Sequence, residues 1–374
     1  MQQVLPVREV VALSSQSSTV TGGSPRSPSP RLVVGKARAF TSYLSLRMIA
    51  VIGVIVLLVL VLEATSGGRL LTSTNLGGSL DSSAEVGFIA IGVTMLMIGG
   101  EFDLSVGQTF VAGALTFAAL FKPIGVGPAI VVAMLLGAGI GLINGFITLF
   151  FGIPSFITTL GTYYAIAGII VLITNGSPVS LVSVPSSFSI FGGTMGFSTQ
   201  WQVLWWLGFA AIAAVVLHKT AFGNHVFAAG GARNAAESIG VRVNRVKMIL
   251  FVLCGVCAAF SGVVLFALYG DVEASAGSGL QLQAIAAAVI GGTALFGGIG
   301  TVYGGVIGSF FLGMIDVGLV LSGASTTYYE LFVGVVLIGA VVSQAKAQGV
   351  AAFVKRLSAR GGLPAARSDA RGGA

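Results

Sequence analysis

Apolar residues in this chain come in long blocks separated by short polar segments, not in the short alternation of a soluble fold. A helix crossing a hydrocarbon core roughly 30 Å thick needs about 20 apolar residues, each contributing about 1.5 Å of rise. Blocks of this kind lie at 48–62, 84–100, 105–121, 127–150, 155–173, 201–217, 247–268, 282–297, 303–321 and 328–343. They predict ten membrane-spanning helices, six before a polar loop at 218–247 and four after it. The expected fold is therefore an all-α, multi-pass membrane helical bundle. Residues 1–45 are polar and rich in Ser and Pro between Ser14 and Pro30. Such a segment cannot bury a core and is expected to be a disordered tail. The membrane domain is expected over 46–345, followed by a basic tail at 346–374.

Charge adds sidedness to this pattern. Of the 19 Lys and Arg residues, six lie in 1–47, five in 218–247 and six in 346–374, leaving only Arg69 and Lys122 elsewhere. Cytoplasmic segments of membrane proteins retain Lys and Arg. Both termini and the 218–247 loop are therefore expected on the cytoplasmic face, and the uncharged Ser, Pro and Gly-rich segment 175–199 outside. Six and four crossings are both even, as this sidedness requires. The chain is 55% hydrophobic and 8% charged, whereas a soluble domain carries about 25% charge. Its pI near 9.7 thus reflects topology: the surface it meets is membrane lipid, and nucleic acid is not an expected partner.

The chemistry is that of transport. No G-x-x-x-x-G-K-[ST] motif occurs, so the chain has no expected ATP site of its own. It has no Ser/His/Asp arrangement and no metal-ligand cluster, so no enzymatic activity, metal or cofactor is expected. Cys254 and Cys257 form a C-x-x-C inside an apolar block, which suits small buried helix residues better than redox or metal chemistry. The 55 glycines suit close helix packing in lipid, as in the runs Gly137, Gly141, Gly145 and Gly300, Gly304, Gly308.

An internal repeat is also legible. Residues 100–107 read Gly-Glu-Phe-Asp-Leu-Ser-Val-Gly, and residues 270–277 read Gly-Asp-Val-Glu-Ala-Ser-Ala-Gly, an offset of 170. One copy follows the second span and the other the seventh, so parity puts them near opposite faces. An inverted repeat of spans 2–5 and 7–10 would do this, and so would coincidence. Polar groups at membrane depth are costly and default to functional candidates. Asp316 is the sharpest, serving either a solute pathway or a hydrogen bond that fixes packing. Glu101 and Asp103 precede Ser105 and Gln108, a capping-box spacing that also suits the start of the third span. Asn144, Thr159 and Thr293 suit either sugar hydroxyls or interhelical hydrogen bonds.

The central loop carries the most information. Residues 222–241 read Phe-Gly-Asn-His-Val-Phe-Ala-Ala-Gly-Gly-Ala-Arg-Asn-Ala-Ala-Glu-Ser-Ile-Gly-Val. A Gly230–Gly231 break precedes a short helical stretch that ends on Gly240, a natural C-cap. This segment resembles the coupling segment of ABC-type sugar permeases of the ribose, xylose and arabinose type. The resemblance extends through Gly100–Gly107, Ile143-Asn144-Gly145, Ile153–Gly161, Ala284–Thr293 and Gly297–Thr301. Together these cover about residues 85–343 in the family's order. Asn224 stands where the family usually has Arg, Ala232 where it has Asn, and Ile299 where a basic residue is common. Gln281 and Gln283 stand where acids often occur.

The resemblance implies a permease subunit of an ATP-driven importer in a bacterial inner membrane, carrying a monosaccharide delivered by an external solute-binding protein. It also implies a second permease copy and cytoplasmic ATP-binding subunits that hold the ATP. Those subunits would grip Gly230, Gly231, Asn234, Ala235, Ala236, Glu237 and Gly240. It raises Asp103 as a pathway residue beside Asn144, Thr159, Thr293 and Asp316. The alternative is an ion-coupled secondary transporter of a small neutral solute, with Asp103 and Asp316 as proton or cation sites.

Overall fold

The computed structural model describes residues 56–195, 198–325 and 328–339, with Gly53, Val341 and Val342 besides. The expected tails at 1–45 and 346–374 lie outside the described residues. The described chain is almost entirely helical: α1 (Val56–Thr65), α2 (Ser73–Ile98), α3 (Val106–Ile124), α4 (Val126–Phe151), α5 (Ser155–Thr174), the short α6 (Ser189–Gly192), α7 (Gln202–Lys219), α8 (Ala221–Gly231), α9 (Arg233–Ser238), α10 (Val243–Tyr269), α11 (Leu280–Ile290), α12 (Val302–Leu321) and α13 (Tyr328–Gly339). Two-residue strands, β1 (Val179–Ser180) and β2 (Asp271–Val272), pair antiparallel. This is the expected all-α, multi-pass architecture.

Helices α2, α4, α5, α7, α10 and α12 are each long and apolar enough to cross a membrane. The remaining expected spans fall on α3 and on the shorter α1, α11 and α13. Two boundaries depart from the sequence expectation. The span expected at 84–100 begins at Ser73, so α2 runs about 39 Å, takes Asp81 inside the helix and moves Glu85 from its end to its middle. Asp316 is therefore not the only acid within a span. The span expected at 282–297 ends at Ile290. Gly292, Gly297 and Gly298 then take positive φ values of 90°, 82° and 75°, which only glycine adopts at little cost, and the chain turns back on itself.

The helix boundaries repeat. Helices α2 and α10 begin 170 residues apart, at Ser73 and Val243, and α4 and α12 end 170 apart, at Phe151 and Leu321. The equivalent helices α2 and α10 run antiparallel. Ser261 donates to the Glu85 carbonyl at 2.7 Å, Gly92 packs on Cys254 and Cys257, and Gly99 packs on Leu250. Gly107 and Gly277, equivalent positions in the two copies, are in mutual backbone contact. A two-fold axis between inverted halves puts equivalent residues together in this way.

Each half lends its third helix to the other. α4 lies on α10, where Gly137 meets Gly255 and Gly141 meets the Phe251 carbonyl; α12 lies on α2, where Gly305 meets Thr94 and Gly313 meets Ser79 and Ser83. A side chain at most of these glycines would run into backbone. Dispersion at such short range stands in for the hydrophobic drive that lipid removes. Cys254 and Cys257 are free and buried in this packing, as expected for small helix residues.

Candidate functional site

Three polar regions stand out against the apolar bundle. The first is the turn between α2 and α3. Asp103 Oδ1 accepts the Ser105 N–H at 2.8 Å and the Ser105 hydroxyl at 2.6 Å. Asn144, one helix away on α4, donates to the Ser105 hydroxyl oxygen at 2.8 Å and to both Asp103 oxygens at 3.4 Å. From α5, Thr159 Oγ1 accepts the Leu104 N–H at 3.0 Å and Ser155 Oγ the Phe102 N–H at 3.1 Å. Asp103, Ser105, Asn144 and Thr159 are all buried. The structure thus brings together three of the five expected pathway residues. Their hydrogen bonds hold the Phe102, Leu104 and Ser105 amides of the turn that leads into α3. The expected Ser105–Gln108 capping box does not form: Ser105 makes no side-chain cap bond, and Asp103 caps the turn instead.

The second region is the central segment, two helices rather than an open loop. Thr220 caps α8 by accepting the Gly223 N–H at 3.4 Å. α8 ends at Gly231, Ala232 breaks the helix, and α9 runs to Ser238. Gly240 follows with φ 88°, the left-handed conformation expected of a glycine C-cap. Gly230 is pressed between the Ile98 carbonyl and Gly298, while Gly297 lies on Gly100. Gly298 N–H donates to Ile98 O at 2.8 Å. Only glycine lets three chain segments approach this closely. Asn234, Ala235, Glu237 and Arg233 face outward, with Ala236 buried beneath them. Arg233 pairs with Glu237 at 3.1 Å on the surface. Beside the knot, Lys247 Nζ donates to Glu101 at 2.6 Å with side chains only 8% and 13% exposed. Sequence reading missed this pair, because 146 positions separate its members.

The third region lies at the other end of α2. Ser82 donates to Asp316 on α12 at 2.7 Å. Ser82 and Ile98 are 16 residues apart on one helix, about 24 Å, so Asp316 is remote from the turn that holds Asp103. Asp81 Oδ1 accepts the Gln200 N–H at 2.9 Å. Asp81, Glu85 and Asp316 are half-buried, and all three carboxyl groups lie within electrostatic reach of Tyr269. Tyr329 on α13 is within reach of Glu85 and Asp316, and its hydroxyl donates to Gln283 at 3.5 Å. The acid spacing of 81 and 85, one helical turn, was the available signal for this face. Thr293 belongs to neither carboxylate region: its hydroxyl lies against Gly300 beside Ile98. No group of three metal-ligating side chains exists among the described residues.

Comparison with known proteins gives a consistent set of relatives. A family model described as branched-chain amino acid transport system / permease component matches residues 75–341. The ribose import permease protein RbsC of Escherichia coli is 32% identical over 321 residues, 84% of this chain and 98% of that protein. The autoinducer 2 import system permease protein LsrC of Yersinia enterocolitica is 34% identical over 264 residues, 70% of this chain and 72% of its own. The probable ABC transporter permease protein YphD of Escherichia coli is 34% identical over 314 residues, 83% and 93% of the two chains. No solved structure matches.

Proposed function

From the premise that this chain belongs to the branched-chain amino acid transport system permease family, we propose that it passes a monosaccharide inward across the bacterial cell membrane. It is a multi-pass permease component of an ABC importer. ATP is bound and hydrolysed by separate cytoplasmic subunits, and an external solute-binding protein delivers the sugar to a pair of permease copies. Both termini and the α8–α9 segment face the cytoplasm. The relatives named for ribose and autoinducer 2 import support a sugar-like solute. So does the engagement of Lys247: this buried cation is paired with Glu101 and not free to meet the carboxylate of an amino acid.

The observation that carries the ATP-driven reading is the α8–α9 segment. It joins the two halves of the repeat, packs Gly230 and Gly231 onto the end of α2 and the 297–298 turn, and presents Asn234 and Glu237 outward. A push on its outer face therefore reaches both halves through backbone contacts. The ion-coupled alternative loses support from Asp103, whose hydrogen bonds build the start of α3. Uptake of labelled D-ribose, D-xylose, D-glucose and D-galactose into proteoliposomes is the test. Transport should require the ATP-binding subunits with ATP on their side, and should survive collapse of the proton gradient. Gradient-driven uptake by this chain alone would overturn the proposal.

A further inference from the structure

We propose that the face formed by Asp81, Ser82, Glu85, Gln283, Asp316 and Tyr329 is where the permease holds its solute, through acceptor oxygens matched to the hydroxyls of a neutral polyol. The proposal rests on the sugar-importer reading and names the residues that would serve it.

Helices α2, α11, α12 and α13 meet here, and three carboxyl groups sit within helices that cross the membrane. Charged groups at that depth cost several kcal/mol against lipid, so they face protein or water. Their protein partners are few. Ser82 serves Asp316 at 2.7 Å and the Gln200 amide serves Asp81 at 2.9 Å, while no hydrogen bond or ion pair engages the Glu85 carboxylate among the described residues. Gln202, 2% exposed, stands against the Asp81 carboxylate and leaves its own Oε1 without a hydrogen-bond partner. Apart from the Gln283 amide, the surplus is therefore of one kind: acceptors lacking donors. A ligand that brings several O–H donors completes such a set, and the half-exposed Tyr329 ring offers an apolar surface for the C–H face of a sugar ring.

The inverted repeat supplies an internal control. Displaced by 170 residues, Asp81, Ser82 and Glu85 become Phe251, Val252 and Gly255 on α10; Asp316 becomes Phe146 on α4 and Gln283 becomes Gly113 on α3. Tyr329 becomes Thr159 on α5, but the α4–α10 crossing itself achieves the same packing with no polar group at the other five positions. The carboxylates of the α2–α12 crossing are not required by the architecture.

The test uses the permease assembled with its ATP-binding subunits and solute-binding protein in proteoliposomes, probed with the membrane-impermeant thiol reagent MTSET. Wild-type protein sets the background, since Cys254 and Cys257 are buried. Ser82→Cys and Gln283→Cys should react at least tenfold faster than Val252→Cys, the counterpart of Ser82, and the transported sugar should slow them severalfold. Equal reactivity of Ser82→Cys and Val252→Cys would overturn the proposal. Glu85→Gln should raise the KM for sugar at least fivefold while the yield of assembled complex stays within twofold of wild type. An unchanged KM would overturn it, as would sugar uptake that depends on sodium in wild type and loses that dependence in Glu85→Gln, because a cation would then be the occupant. If wild type carries none of the four sugars while MTSET still distinguishes Ser82→Cys from Val252→Cys, the sugar reading fails and the polyol assignment falls with it, but the face is still a wet pathway.

Discussion

The two halves of the repeat share a geometry and differ in chemistry, most plainly in the two copies of the acid-x-Ser turn. In both copies the serine hydroxyl donates to the acid two residues earlier, Ser105 to Asp103 at 2.6 Å and Ser275 to Glu273 at 3.1 Å. The first copy is buried and held by Asn144, Ser155 and Thr159, while Glu273 and Ser275 are exposed. At the flanking acid, Glu101 is locked to Lys247, whereas its counterpart Asp271 stands exposed within the β1–β2 ladder. One half has therefore turned its turn into a fixed joint against α8, and the other has left it at a surface. On the α2–α12 and α4–α10 crossings the contrast reverses, with polar groups on the first and apolar ones on the second. Packing is symmetric in this molecule, and function need not be.

The fixed joint gives the largest expected effect. Lys247→Met removes one member of a buried pair, and the stranded Glu101 carboxylate should cost about 3–5 kcal/mol. Asp271→Ala, at the exposed counterpart of Glu101, should shift stability by less than about 0.5 kcal/mol. Thermal melts of the detergent-solubilised permease, followed by fluorescence-detected gel filtration, would measure both. Equal losses would break the comparison. A Glu101→Gln, Lys247→Met double variant should recover much of the loss, since no buried charge is then left unpaired.

The crossings should respond alike where the turns do not. A Cβ at Gly141 runs into the Phe251 carbonyl, and one at Gly313 into Ser83 and the Ser79 carbonyl. Gly141→Ala and Gly313→Ala should each cost about 1–3 kcal/mol by forcing helices apart, seen as comparable drops in melting temperature. A large loss at one and none at the other would mean that the halves do not share a packing plan.

Much of this architecture was readable before any coordinates, and the reasons are local. Apolar blocks and the glycines after them placed most helices; Gly152 and Gly270 sit just past α4 and α10 in left-handed conformation, as helix-ending glycines do. The repeat was visible through its acid-x-Ser frame, and Gly230, Gly231 and Gly240 marked the α8–α9 segment. The start of α2 was missed because Ser73, Thr74, Asn75, Asp81 and the serines around Asp81 read as a loop. A membrane helix with a polar first half has a loop's composition there. The polar face was only partly foreseen, through Asp316, because its other members come from helices far apart in sequence. Asp103, Asn144 and Thr159 do come together, yet hydropathy does not distinguish a hydroxyl that holds a neighbouring turn from one that meets a solute.

The buried and exposed turns also differ in how much each acid holds in place. Asp103→Ala would leave the Ser105 amide and hydroxyl without their acceptor in a buried setting, a cost of about 1–3 kcal/mol. Glu273→Ala, in water, should cost less than about 0.5 kcal/mol. Asp103→Asn should fall between them, since the amide oxygen still accepts from Ser105. The same melts would check this order, and a Glu273→Ala loss as large as that of Asp103→Ala would remove the distinction.

The smallest effect is the most discriminating. Gly100 and Gly270 are counterparts, and both hold positive φ, 81° and 71°. Alanine in the left-handed region costs about 1–2 kcal/mol, so Gly100→Ala and Gly270→Ala should lower stability by similar small amounts. Space does not separate them strongly: a Cβ at Gly100 comes within 3.4 Å of Gly230, and one at Gly270 within 2.9 Å of a Val184 methyl group that can move. What separates them is the neighbour. Gly100 packs on the glycine knot of α8 and lies beside Lys247, where the permease would receive the push of its ATPase; Gly270 packs on the 181–184 segment at the other end. With stability matched, Gly100→Ala should reduce sugar taken up per ATP hydrolysed, and Gly270→Ala should leave that ratio unchanged. If both variants change the ratio equally, the loss comes from helix strain in general. If neither does, force does not pass from α8 to α2 through this contact, and the packing of Gly230 on the Ile98 carbonyl is left as the route between them.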